Sequence, residues 1–102
     1  MKINQLVNQL VVARRLKLSI TSLAILSYLY ENNEQKVGVI AAHLGIHTAA
    51  LTGMAESLEN LGFAVRKHGK SDRRTVWLSI TYSGFAAMEE ITEAGKAQLA
   101  TA

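Results

Sequence analysis

At 102 residues the chain has room for one core, because a domain of this size buries roughly two-thirds of its unfolded surface and leaves little for a second. With 49% apolar residues, 19% charged residues and a net charge of +3 it is a globular chain, and the absence of cysteine excludes a disulfide framework, a thiolate nucleophile and a cysteine zinc site. No apolar run approaches the roughly 20 residues of a bilayer-spanning helix and no secretory signal pattern is visible, so a cytoplasmic protein with no membrane partner is expected.

Ile3, Leu6, Val7, Leu10 and Val11 recur at three- and four-residue spacing, which predicts a helix over 3–16 with one apolar face. Ser19 suits the N-cap of a second helix that ends near Glu31, before Asn32 and Asn33, and that buries Leu23, Leu26, Leu29 and Tyr30. A short helix within 37–46 carries Ile40 and Leu44 and stops at Gly45. A longer helix over 48–61 aligns Leu51, Met54, Leu58 and Leu61 and ends at Gly62. Short helix, turn glycine and longer helix are the outline of a helix-turn-helix.

After Gly62 the apolar period drops to about two. Residues 63–67 and 75–80 read as strands, and the polar stretch 68–74 between them makes a β-hairpin with a basic tip. Thr81 can cap a last helix in which Phe85, Met88, Ile91 and Leu99 keep an approximate stripe. Gly84 and Gly95 each weaken that helix by about 1 kcal/mol relative to alanine.

Charge is unevenly spread. Residues 1–30 carry Lys2, Arg14, Arg15 and Lys17 and no acid, whereas 31–62 carry Glu31, Glu34, Glu56 and Glu59 against Lys36 alone. Residues 63–81 then gather Arg66, Lys67, Lys70, Arg73 and Arg74 against Asp72. Such local clustering attracts polyanions whatever the total charge, and it marks the hairpin as a nucleic-acid contact rather than a merely solvated edge.

The order of elements looks like the winged-helix fold, mainly α with a small β-hairpin wing, and the details resemble the MarR (multiple antibiotic resistance regulator) family. The matching residues are Leu18-Ser19, Ile40-Ala41, Leu44-Gly45, Leu58-Glu59-Asn60-Leu61-Gly62-Phe63, Ser71-Asp72-Arg73-Arg74 and Leu78-Ser79-Ile80-Thr81-Tyr82-Ser83-Gly84. The resemblance runs over about 18–84 and divides a single domain into an N-terminal dimerisation helix (1–17), a winged-helix core (18–81) and a C-terminal helix (82–102).

The resemblance implies that the helix over 48–61 enters the major groove and that Thr52 stands where the family has a DNA-contacting threonine. It implies that Asp72 and a following arginine shape the wing, whose tip reaches the minor groove through Arg73 or Arg74. It also implies a dimer held by the first and last helices, through Ile3, Leu6, Val7, Leu10, Met88 and Ile91. Family members often take small aromatic ligands between the dimerisation helices and the DNA-binding lobe, but Tyr28, Tyr30, Trp77 and Tyr82 form no constellation that identifies an effector. Two departures stand out. No Lys or Arg lies between His47 and Gly62, where the family usually has arginines at the positions of Gly53 and Ser57, so phosphate neutralisation falls to the wing and the N-terminal cluster. The last helix is short, which predicts a smaller dimer interface than the family's.

Base contact is expected from Thr48, Ala49, Thr52 and Gly53, small or hydroxyl-bearing residues able to approach base edges. Phosphate and minor-groove contact is expected from Arg66, Lys67, Lys70, Arg73 and Arg74. His43 and His47 are separated by the turn at Gly45, so no metal site is expected, and neither a cofactor loop nor a nucleophile–base spacing is present. The function that follows is double-stranded DNA binding and transcriptional regulation as a homodimer, without enzymatic chemistry. The competing reading is a winged-helix protein-interaction module, favoured by the uncharged to acidic helix over 48–61.

Overall fold

The computed structural model describes residues 2–96, with the element order α1 (Ile3–Arg15), α2 (Ile20–Asn32), β1 (Glu34–Lys36), α3 (Val37–Leu44), α4 (Thr48–Asn60), β2 (Ala64–His68), β3 (Val76–Ile80) and α5 (Tyr82–Lys96). Leu99, expected on the apolar stripe of the last helix, lies outside the described residues. Among the described residues no single helix is long and apolar enough to cross a membrane.

The helix boundaries follow from local chemistry. At the start of α1 the Lys2 backbone N–H donates to the Gln5 side chain at 2.9 Å. The Ser19 hydroxyl accepts from the Ser22 N–H at 3.1 Å, which satisfies one of the donors left open at the start of α2. Helices α3 and α4 end at glycines. Gly45 and Gly62 take φ of 70° and 80°, a left-handed conformation that costs glycine nothing. In each case the following residue closes a Schellman turn, through Ile46 N–H to the Ala41 carbonyl at 3.0 Å and Phe63 N–H to the Leu58 carbonyl at 2.9 Å.

The core is built from one face of each element: Ile25, Leu26 and Leu29 of α2, Ile40 of α3, Leu51, Ala55 and Leu58 of α4, and Leu78 of β3, all fully buried. Met54, expected on that buried face of α4, is only half-buried, and Ala55 occupies the fully buried position beside it. Helix α1 packs chiefly along α5. Met88 and Ile91, expected at a dimer face, are instead 5% and 3% exposed, because α5 turns that side onto α1, α2 and the core of its own chain.

The sheet extends the expected hairpin. Strands β2 and β3 pair as the wing, and β1 joins β3 as a third antiparallel strand, in the order β1-β3-β2. Strand β1 is three polar residues with no apolar alternation to announce it, and its partner specifies it: Glu34 pairs with Ser79, whose hydroxyl donates to the Glu34 carboxylate at 2.8 Å. The wing thereby shares its inner strand with the segment that leads into α3.

The glycines of α5 also have a role that helix propensity misses. A β-carbon on Gly84 would overlap the Phe63 carbonyl and come within 3.0 Å of Ile80, and one on Gly95 would overlap the Gln9 side chain. Around Gly84, Thr81 joins three elements. Its hydroxyl donates to the Gly62 carbonyl at 2.6 Å and accepts from the Gly84 N–H at 3.0 Å, while its backbone N–H donates to Phe63 at 3.0 Å.

Candidate nucleic-acid interface

Helices α3 and α4 meet at 110° across Gly45, Ile46 and His47, the angle of a helix-turn-helix. Leu51, Ala55 and Leu58 anchor α4 in the core, so the opposite face of its first two turns is presented outward. Thr48, Ala49 and Gly53 are exposed and Thr52 is half-buried. The Thr52 hydroxyl donates to the Thr48 carbonyl at 3.0 Å, which fixes its rotamer and leaves its lone pairs free to accept.

The wing stands beside this face. Strands β2 and β3 pair from Ala64–Ile80 to His68–Val76, and the turn beyond them is closed by Gly69 N–H to Thr75 at 2.8 Å and Thr75 N–H to Asp72 at 3.0 Å. Within the tip, the His68 Nδ1–H donates to the Arg73 carbonyl at 2.8 Å. Asp72 accepts both the Arg74 backbone N–H at 3.0 Å and its Nε at 3.3 Å, an exposed pair that shapes the turn more than it stabilises the fold. A cleft of about 460 Å³ separates helix from wing, lined by Lys36, Thr48, Thr52, Arg66, Arg74 and Thr75 among others.

The five wing cations are not equivalent. Arg66 points its Nε at the Glu59 carboxylate, 2.6 Å away, its backbone N–H donates to the other Glu59 oxygen at 3.2 Å, and Glu56 lies 3.7 Å from its guanidinium. Its charge is thus met by the two carboxylates of α4. Arg74 is held by Asp72, whereas among the described residues no carboxylate pairs with Lys67, Lys70 or Arg73.

Lys36 is the residue that sequence reading passed over. It appeared as a lone cation in an acidic stretch, and only the β1–β3 pairing, 41 positions apart along the chain at Lys36–Trp77, brings it to the wing. The histidines stay apart in role: the His43 ring lies 4.7 Å from that of Tyr28, and His47 precedes α4 as its N-cap. Tyr30 lies 5.0 Å from Phe85 and donates its hydroxyl to Glu89 at 2.5 Å, tying α2 to α5.

Residues 18–76 match the MarR family. The HTH-type transcriptional repressor MdtR of Bacillus subtilis (strain 168) is 35% identical over 78 residues, which are 76% of this chain and 50% of that protein. The chain thus spans about half the length of that curated relative. Among solved structures, the YusO protein from Bacillus subtilis superposes with a TM-score of 0.81 at 28% identity, over 90% of this chain and 65% of that one. Reduced AbfR bound to DNA, a protein of Staphylococcus epidermidis, gives 0.80 at 26% identity, over 87% and 64%.

Proposed function

The chain belongs to the MarR family, and on that premise we propose that it binds double-stranded DNA sequence-selectively as a homodimer and regulates transcription, acting as a repressor in the cytoplasm by occupying an operator. The observation that carries this reading is a cleft bordered on one side by Thr48 and Thr52 of α4 and on the other by Arg66, Arg74 and Thr75 of the hairpin.

In this reading the exposed face of α4 enters the major groove. Thr48, Ala49, Thr52 and Gly53 have no long side chains, so the helix backbone approaches the bases closely, and threonine reads by hydrogen bond or by its methyl group against thymine. With no cation on α4, the phosphate charge is met by the wing, through Lys67 and Lys70 on the backbone and Arg73 in the minor groove. Arg73 is preferred over Arg74 because Asp72 already engages the latter. Arg66 positions the wing instead of touching DNA. A reader built from such small contacts draws part of its selectivity from DNA shape.

Dimerisation through α1 is supported by its uncovered apolar residues. Ile3 is 80% exposed and Val11 59%, with Leu6 and Val7 about half exposed between them and Leu10 half-buried. Two-fold pairing along this stripe would offer two copies of α4 to half-sites one helical turn of DNA apart.

The alternative, a protein-interaction module, is favoured by one observation: α4 carries Glu56 and Glu59 and no cation. Repeated selection from a random duplex pool separates the two. Enrichment of a site with two related halves supports the regulator, and a pool that stays unenriched at low salt leaves the interaction module in its place.

A further inference from the structure

We propose that Lys36 is a phosphate anchor of the DNA-binding face, held in position by the indole of Trp77; this rests on the DNA-binding reading above and adds a contact outside both α4 and the wing. Strand β1 is fixed at its start, where the Ile80 N–H donates to the Asn33 carbonyl at 2.9 Å and Ser79 bonds Glu34. Register then places Lys36 opposite Trp77, with its ammonium 5.5 Å from the ring centroid. A cation over an aromatic face is held by the ring's quadrupole and keeps its full charge. That distinguishes Lys36 from Arg66 and Arg74, which have carboxylate partners, because among the described residues none pairs with Lys36.

Its location is what makes the charge useful. Lys36 borders the cleft shared with Thr48 and Thr52, and also a second cleft of about 440 Å³ shared with Lys70, Asp72 and Trp77. It therefore stands between α4 and the tip of the wing. It is also the residue before α3, whose first turn contributes Gly38 and Val39 to the wall of the first cleft. Gly38 has open space around the position of a β-carbon, so a phosphate could approach the backbone beside Lys36. With no cation on α4, a fixed ammonium here meets a charge that the helix leaves unmet.

The test is a titration of the full chain with an enriched duplex and a scrambled duplex over a range of salt, for wild type, Lys36→Met and Lys36→Arg. Trp77, the chain's one tryptophan, gives a local fluorescence signal from directly beneath the contact. Loss of one phosphate contact should weaken binding of Lys36→Met to both duplexes by about eightfold near 0.1 M salt and make the log–log salt slope shallower by about 0.9. Lys36→Arg should keep most of the affinity, and Trp77 emission should change on DNA binding in wild type. If wild type binds with the expected salt dependence while Lys36→Met matches it in affinity and slope, the anchor is refuted and the DNA-binding reading stands. If wild type binds no duplex at low salt, that reading falls and takes the anchor with it.

Discussion

The Nε of Arg66 lies 2.6 Å from the Oε1 of Glu59, and the Arg66 backbone N–H donates to the second oxygen of the same carboxylate, so one residue pair joins the first strand of the wing to the last turn of α4. The helix that would enter the major groove thus carries two carboxylates, and the wing that would embrace the DNA supplies the guanidinium that offsets them.

Arg66→Gln is therefore expected to weaken duplex binding by uncovering Glu59 and Glu56, and adding Glu59→Gln should restore most of the loss. Affinities of the two single variants and the double variant should show a coupling in the range of about 0.5–3 kcal/mol. Independent, additive effects would mean that Arg66 contacts DNA itself. Thermal stability should change by no more than about 1 kcal/mol, because both side chains are about one-third exposed.

At the wing tip the two arginines should separate. Arg73→Ala is expected to reduce affinity and to make the salt slope shallower by about 1, as the loss of one DNA-contacting cation does. Arg74→Ala should cost less, since Asp72 already holds that side chain. An equal or larger loss on Arg74→Ala would reverse the assignment.

Two glycine-to-alanine changes in helices should have opposite signs. At Gly53 nothing stands within 4 Å of a β-carbon, so Gly53→Ala should stabilise the fold by about 0.5–1 kcal/mol. At Gly84 the methyl group meets the Phe63 carbonyl, and overpacking there should destabilise by about 1–3 kcal/mol. Melting temperatures of the two variants, one above and one below wild type by several degrees, check both.

The Tyr30 phenol is held above its ordinary value, chiefly because its hydrogen bond to Glu89 keeps the proton, with desolvation and the negative charge of Glu89 adding to the effect. On raising the pH the unfolded chain releases this proton first. The stabilisation is complete below pH about 10 and is lost as pH rises beyond that value. Denaturation midpoints followed through that range should fall less steeply in Tyr30→Phe than in wild type.

Much of this architecture is written locally. Ser19, Gly45 and Gly62 act on their immediate neighbours, Thr81 caps the first turn of α5, and each sits at an element boundary, which is why the helices and the hairpin can be read from spacing. What the sequence hides is long-range. Glu34-Gln35-Lys36 becomes a strand only because β3 accepts it, so both the third strand and the placement of Lys36 depend on a pairing with no local trace. The same holds for Arg66, which reads as one more basic wing residue until the turn at Gly62 folds it back onto Glu59. Met88 and Ile91 continue an apolar stripe suited to either a partner or the chain's own core, and packing decides for the core. Gly84 shows propensity overridden by a neighbouring backbone.

The most direct test of the account is the salt dependence of duplex binding, followed by fluorescence anisotropy for wild type and for Arg73→Ala. Wild-type affinity should fall steeply as salt rises, and the variant should bind more weakly with a shallower slope, since the wing rather than α4 carries the phosphate-facing charge. Binding that ignores salt, or that Arg73→Ala leaves unchanged, would contradict a wing-anchored DNA reader.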